Sequence, residues 1–281
     1  MISGEVISHI LAPVASRRGK ALVVGDSSLS YDMIIRIPDK DGDRKFIIKV
    51  KEDVHKVDKD TVLDLAILAG ISESTPLIVG LRYNNEEMLD GVAYKVHGIY
   101  AVNMRTMKRV LNNDSVKYVK DKGMIKARVK GSLLKELRER NNMSLGDLAS
   151  ILGVSRRTVY EYERDSFEAS ERTARILEDL FGEEVLSDVD LRASTSEIMS
   201  KITSREVGVN DRIKVLLRSF KIYSLLRAHT KLAAQSTKRA YLVESRENIN
   251  GEVIKVASVL DVGLAVISGE DDVEFIDEVN Q

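Results

Sequence analysis

Cysteine is absent from the 281-residue chain, and with it disulfide frameworks, thiolate zinc sites, iron–sulfur clusters and cysteine nucleophiles. Tryptophan is absent too, and aromatic residues make up only 5%. That argues against a single-strand binder, which stacks bases on several rings. Neither sign of charge is in excess: 43 Lys and Arg face 44 Asp and Glu, for a formal net charge of -1. No chain-wide cationic surface is available to capture nucleic acid or anionic lipid, so any basic surface has to be local. Nowhere do about 18 apolar residues follow one another, as a membrane span requires. The first twenty residues lack a cationic start, and Pro13 with Ser16 interrupts their apolar run, so no signal peptide is expected. A cytoplasmic protein without membrane contact is the expectation.

What is present is 43% hydrophobic content, enough for two or three packed cores. Residues 1–122 read as an α/β domain. A weak helical period covers 6–15, strands follow at 21–24, 31–37 and 45–50, and a helix spans 58–68 with Val62, Leu63, Leu65, Ala66 and Leu68 on its apolar side. Strands at 76–79, 93–96 and 99–102 complete it. Residues 123–190 change character. In 124–130 the cations Lys126, Arg128 and Lys130 alternate with Ile125, Ala127 and Val129, the period of a strand with one charged face and so of a basic β-ribbon. Residues 132–182 then keep a 3.6 period broken by short turns. Residues 191–281 return to α/β, with helices near 194–202, 210–217 and 252–259 and strands at 240–243 and 264–268. The expected fold class is therefore α/β (α+β) flanking domains around a central all-α helix-turn-helix module. Residues 46–54 and 241–249 look alike, and each stretch precedes an apolar helix and a strand. Chance likeness and internal duplication are both open.

The informative stretch is 144–163. Ser144 with Asp147 makes a capping-box-like helix start, in which the serine oxygen satisfies an orphan backbone N–H. Leu148, Ile151 and Leu152 are expected to point inward, Ala149 lies where two helices approach, Gly153 permits the tight turn, Val154 fills the space beneath it, and Ser155 caps the next helix. In that helix, expected over about 155–164, Val159 and Tyr162 pack inward while Arg157, Tyr160, Glu161 and Arg164 form an outward stripe. Arg156 and Arg157 stand in its first turn, the end that enters the major groove in helix-turn-helix docking. A forked guanidinium there can bond guanine O6 and N7, which discriminates bases by about 1–3 kcal/mol, and Glu161 could accept from cytosine N4. Arginines on an arbitrary helix usually do no more than solvate it. Here caps and turn recur at the spacing that folds two helices across each other, which favours DNA. Residues 120–165 hold eleven Lys and Arg against seven acids, an excess of four. Such a patch predicts affinity that falls steeply with salt. Lys126, Arg128 and Lys130 are candidates for phosphate contacts, or equally an ordinary solvated strand face.

These residues resemble the helix-turn-helix of the Cro and phage-repressor family from Leu134 to about Phe181. The resemblance implies that Arg138 pairs with Glu163 as scaffold, that Arg156, Arg157 and Glu161 stand where relatives read bases, and that Ser144 and Thr158 lie near phosphates. Ser170, Leu177, Leu180 and Gly182 fit a further capped helix. Over nearly the whole length the chain is similar to an archaeal family of helix-turn-helix transcriptional regulators, in which an α/β domain, a basic hairpin-like segment, this module and a second α/β domain follow one another. The match is carried by 144–149, 153–163 and 181–184, and more loosely by 46–50 and 76–80. The resemblance implies double-stranded DNA as partner and, by the usual helix-turn-helix arrangement, a homodimer on two half-sites. No residue identifies an effector or a cofactor.

An enzyme is the main alternative. The N-terminal order resembles the restriction-endonuclease-like fold, whose metal site needs one acid on a strand and an acid-x-lysine on the next. Asp32 could be the first acid, but the next strand reads Ile47-Ile-Lys49 or Lys49-Val-Lys51, without a second carboxylate in either register. Glu244-Ser-Arg246 sits where such a triplet would fall in the C-terminal segment, with no partner aspartate on 220–226. His9, His55, His97 and His229 share no metal-ligand spacing. Neither a phosphate-binding G-x-x-x-x-G-K-[S/T] loop nor a G-x-S-x-G elbow occurs. No catalysis and no metal site are expected. A third class is a transcription-factor bridge whose module binds protein; Arg156 and Arg157 argue for DNA, because a protein-facing helix would show an apolar anchor there.

Overall fold

A computed structural model describes residues 4–202, 210–268 and 272–279. Period-two patterning governs the first part. Helix α1 (Gly4–Ser16) is followed by the antiparallel strands β1 (Lys20–Val23), β2 (Met33–Ile37) and β3 (Arg44–Val50), and helix α2 (Lys59–Ser72) joins β3 to its parallel neighbour β4 (Thr75–Gly80). Met33, Ile35, Ile37, Phe46 and Ile48 face one side of the sheet, where α1 packs through Ile10 and Val14; Ile34 and Ile47 face the other, beneath α2. With both faces covered, these strands read as near-continuous apolar runs. Asp58 caps α2 by accepting the Thr61 amide at 2.9 Å. This helix buries Val62, Leu65, Ala66, Ile67, Leu68, Ala69 and Ile71 around its circumference rather than along one stripe, as a helix covered on several sides must.

The sheet then extends through a small hairpin, β5 (Arg82–Tyr83) and β6 (Glu86–Glu87), which stands apart from it, to β7 (Val92–Val96) and β8 (Ile99–Asn103). Helix α3 (Met104–Leu111), capped by Asn103, packs beside α1 through Met107, Val110 and Leu111. Strand β9 (Tyr118–Asp121) runs parallel to β7 and turns at Lys122 and Gly123, both with positive φ, into β10 (Met124–Arg128). The boundary expected between 122 and 123 thus falls at a hairpin turn. One nine-stranded sheet, β1-β2-β3-β4-β8-β7-β9-β10-β11, carries both the α/β part and the helical module.

The module consists of α4 (Gly131–Arg140), α5 (Leu145–Leu152), α6 (Arg156–Glu163), the edge strand β11 (Glu168–Ser170) and α7 (Glu171–Phe181). Its core of Leu134, Leu148, Ala149, Leu152, Val159, Tyr162, Ala174 and Leu177 continues into Tyr118, Ala127, Val129 and Ala169 on the ribbon. Helix α8 (Ala193–Lys201) lies against α2. The C-terminal part has α9 (Asp211–Leu216), β12 (Lys221–Ser224), β13 (Leu232–Gln235), β14 (Ala240–Ser245), α10 (Gly251–Leu260), β15 (Gly263–Ser268) and β16 (Asp272–Ile276), with the five strands adjacent in that order. Among the described residues no helix is long and apolar enough to cross a membrane.

Candidate nucleic-acid interface

Two capped helix starts make the site. The Ser144 hydroxyl accepts the Asp147 amide at 3.2 Å while the Asp147 carboxylate accepts the Ser144 amide at 2.8 Å, a complete capping box. Hydrogen bonds from Ser144, helped by the charge of Arg156, hold the Asp147 carboxyl below its ordinary range. Gly153 ends α5 at φ 67°, in the left-handed region where a Cβ is strained, and Ser155 caps α6 by accepting the Thr158 amide at 3.1 Å. The Ser155 and Thr158 hydroxyls are also 2.9 Å apart. Ala149, buried, and Val154 seat the turn between α5 and α6.

The side chains on α6 divide as their spacing implies. Val159 and Tyr162 are buried, while Arg156, Arg157, Tyr160 and Arg164 are exposed. Thr158 and Glu161 are half-buried. Arg157 is 87% exposed and 3.8 Å from Glu161, a solvent-screened i,i+4 ion pair of the kind that contributes little. Arg164 donates to the Tyr160 hydroxyl at 2.7 Å and lies over that ring, so the two form one amphipathic unit. Ile151, expected inward, is 45% exposed: Leu148 and Leu152 take the inward positions and leave Ile151 on the outer face of α5.

Arg138 donates to both carboxylate oxygens of Glu163, at 2.5 and 3.2 Å, and to the Met143 carbonyl at 2.8 Å. Both side chains are under 10% exposed, and the Glu163 carboxylate raises the already high affinity of Arg138 for its proton. The clamp ties α4 to the end of α6. Sequence reasoning missed Gly146. A Cβ there would lie 2.8 Å from Arg156 Nε, so this glycine leaves the guanidinium room to lie on the first turn of α5. The signal was a glycine in a helix's first turn, indistinguishable from an ordinary weak helix former. Phe167, 52% exposed just after α6, was missed as well.

The basic ribbon sits elsewhere. Ala127 and Val129 turn toward the helices, whereas Lys126 and Arg128 alternate onto the opposite face of β10. Lys126 is half-buried and 3.8 Å from Glu168, and Lys130 occupies the position preceding α4. Gly131 packs against the last carbonyls of α6, so the ribbon meets that helix at its C-terminal end, roughly 10 Å by helical rise from Arg156. One continuous cationic strip is not what the fold builds.

At the start of β2, Asp32 accepts from Lys49 Nζ at 3.2 Å and from the Val50 amide at 2.7 Å. Lys49 also donates to the Leu29 carbonyl at 2.6 Å. Two strand positions before Lys49, where a nuclease metal site needs its second acid, stands Ile47 with no exposure at all. A divalent cation does not fit this donor set, because the one carboxylate is already engaged by an ammonium and an amide.

Comparison with known proteins agrees with this geometry. Residues 6–116 match the PD-(D/E)XK superfamily domain, and residues 134–186 match the helix-turn-helix family. A relative from Methanoculleus marisnigri is 32% identical over 280 residues, covering 90% of each chain. One from Aeropyrum pernix is 27% identical, covering 99% of this chain and 91% of its own length. One from Thermococcus gammatolerans is 35% identical over 167 residues, with 59% of this chain spanning about half, 53%, of that relative. All three carry the name "Putative HTH-type transcriptional regulatory protein". No solved structure matches the chain. With helix-turn-helix geometry in place and a relative aligned along nine-tenths of both chains, this protein belongs to the archaeal family of HTH-type transcriptional regulatory proteins.

Proposed function

We infer that the protein is a sequence-specific regulator of transcription that binds double-stranded DNA, with α6 in the major groove. The observation that carries this reading is the convergence of two capped helix starts, at Ser144 and Ser155, with Arg156 lying across Gly146 between them and Arg157 projecting into solvent beside it. Helix N-termini favour phosphate, and forked guanidinium groups at the groove-entering turn read guanine. Under this reading Arg156, Arg157 and Glu161 face bases, Ser144, Ser155 and Thr158 lie near phosphate, and Tyr160 with Arg164 contacts sugar or a thymine methyl. Lys126, Arg128 and Lys130 would meet backbone phosphates beyond that groove. We further propose a homodimer, since the usual helix-turn-helix operator offers two half-sites. Selection from random duplex DNA, followed by titration at several salt concentrations, tests both: an enriched inverted repeat is expected, and failure to enrich any sequence would overturn the DNA-reading assignment.

The PD-(D/E)XK match raises a nuclease as the second reading. Ile47 in place of an acid, and the engagement of Asp32 by Lys49, support a domain that does no phosphodiester chemistry. Plasmid incubated with magnesium or manganese should stay intact; cutting that disappears in Asp32→Ala would reverse this view.

A further inference from the structure

The likeness between residues 46–54 and 241–249 is matched in three dimensions. From α1 to β4 the chain forms an αβββαβ unit, and from α9 to β15 it forms the same order with the same pairing: three antiparallel strands, a helix, and a parallel fourth strand. The registers agree residue by residue. Phe46 opposes Thr75 and Ile48 opposes Leu77; Tyr241 opposes Gly263 and Val243 opposes Ala265. Phe46, Ile48 and Leu77 pack with Ile10 and Val14 around α1, and Tyr241, Val243 and Ala265 pack with Ile213 and Leu217 around α9. Both crossovers contain a short 3-10 turn, Val54–Lys56 in one and Arg246–Asn248 in the other. Asp58 and Asn250 cap the following helices, which end on left-handed Glu73 and Asp261, whose amides return to the carbonyls of Ala69 and Ala257. Two unrelated amphipathic strands would not share caps, register and burial together.

The units also embrace each other. Helix α2 packs on β13 and β14, and α10 packs on β1 and β2, so each copy lays the equivalent helix across the other's strands. The two loops between first and second strands meet: the Ser30 amide donates to the Arg227 carbonyl at 2.7 Å, and the Tyr31 hydroxyl lies 2.6 Å from His229 Nδ1. Buried Asp64 accepts the amides of Leu226 and Arg227 at 3.1 and 2.9 Å. On the other side, Lys45 Nζ donates to the Leu260 carbonyl at 3.0 Å.

We propose that the C-terminal segment is a diverged second copy of the N-terminal unit, and that the face formed by α2, β1, β2 and the 24–32 loop is a pairing surface whose partner is that copy, supplied in cis about a local two-fold. The equivalence extends to the remnant site. Across β2 and β3 Asp32 stands beside Lys49; the same register places Lys231 beside Glu244, with Leu242 where Ile47 stands. The charge order is reversed, and neither copy holds two acids. Because the surface is filled within one chain, association of two chains on DNA has to use another face.

The absence of cysteine makes the test clean. In the full-length protein, Ser30→Cys with Arg227→Cys should form a disulfide on oxidation that stays within one chain at every concentration, seen by intact mass and a non-reducing gel. A second pair, Arg36→Cys with Asp261→Cys bridged by a short bismaleimide, joins side chains that lie 3.6 Å apart across the reciprocal contact and reach solvent, and serves if the first pair disturbs the 2.7 Å hydrogen bond from the Ser30 hydroxyl to the Asp64 carboxylate. Chain-to-chain linkage, or linkage at neither pair, overturns the proposal. Neither readout involves DNA, so failure here and failure of the DNA-reading assignment are separable.

Discussion

At the residue scale the decisive groups are those whose surroundings leave them one arrangement. Arg138 and Glu163 are buried together, and removing one partner leaves an unpaired charge in the core. Arg138→Ala should therefore destabilise the protein by about 3–5 kcal/mol, read from urea denaturation. A loss under ~1 kcal/mol would mean that water already reaches the pair. Gly146 offers the opposite case. Gly146→Ala places a Cβ against the flexible end of Arg156 while improving helix propensity by about 0.5–1 kcal/mol. Folding stability should hold or rise, and specific DNA affinity should fall as far as it does in Arg156→Ala; unchanged affinity would show that the seat on Gly146 is irrelevant to recognition. The Arg138–Glu163 pairing was legible through family resemblance, since two residues 25 positions apart advertise nothing by spacing. The role of Gly146 was illegible, because it depends on where a side chain of the next helix comes to rest.

At the element scale, the recognition helix and the ribbon are expected to behave differently. Arg157 is exposed in the first turn of α6, while Lys130 precedes α4 near the far end of that helix. Arg157→Ala should weaken specific binding about ten- to a hundredfold, from the ~1–3 kcal/mol of a bidentate base contact, and leave nonspecific binding nearly unchanged. Lys130→Ala should weaken both alike and lower the salt slope by about one if the ribbon meets phosphate. Equal profiles for the two variants, measured by titration across salt, would dissolve the distinction. Helices α5, α6 and α7 lie where cap and turn residues announce them, because those signals act over four or five residues. Strands β9, β11, β12 and β13 were not foreseen. They are three or four residues long, and β13 reads Leu-Ala-Ala-Gln, so pairing with neighbours rather than local pattern makes them strands.

At the scale of the whole molecule, the contact between the two units carries a pH dependence. Burial is the largest influence on His229 and pulls its imidazole below the ordinary value of 6.5, against the opposing charges of Glu252 and Asp26, while burial raises the phenol of Tyr31 beside it. A depressed folded value means that the unfolded chain binds the proton more readily. This contribution is complete above the ordinary imidazole value and is lost as pH falls through it. Burial raises the Asp58 carboxyl, but the Thr61 amide and the Arg227 guanidinium outweigh it and hold it to about 2, so Asp58 does not titrate in that window. The urea midpoint should drop between pH 7 and pH 5, and His229→Gln should flatten that drop; an unaltered slope would place the dependence elsewhere. By itself the sequence determined the class of most longer elements, the helix-turn-helix with its caps, and the lack of a second metal-binding acid, because periodicity, capping and residue identity are local properties. Only the tertiary structure decided that one sheet joins the α/β part to the module, that Lys126 and Arg128 turn away from the helices of the module, and that the C-terminal unit closes upon the N-terminal one. Those outcomes depend on which distant strands share hydrogen bonds and which faces bury each other, and no window of neighbouring residues contains that information.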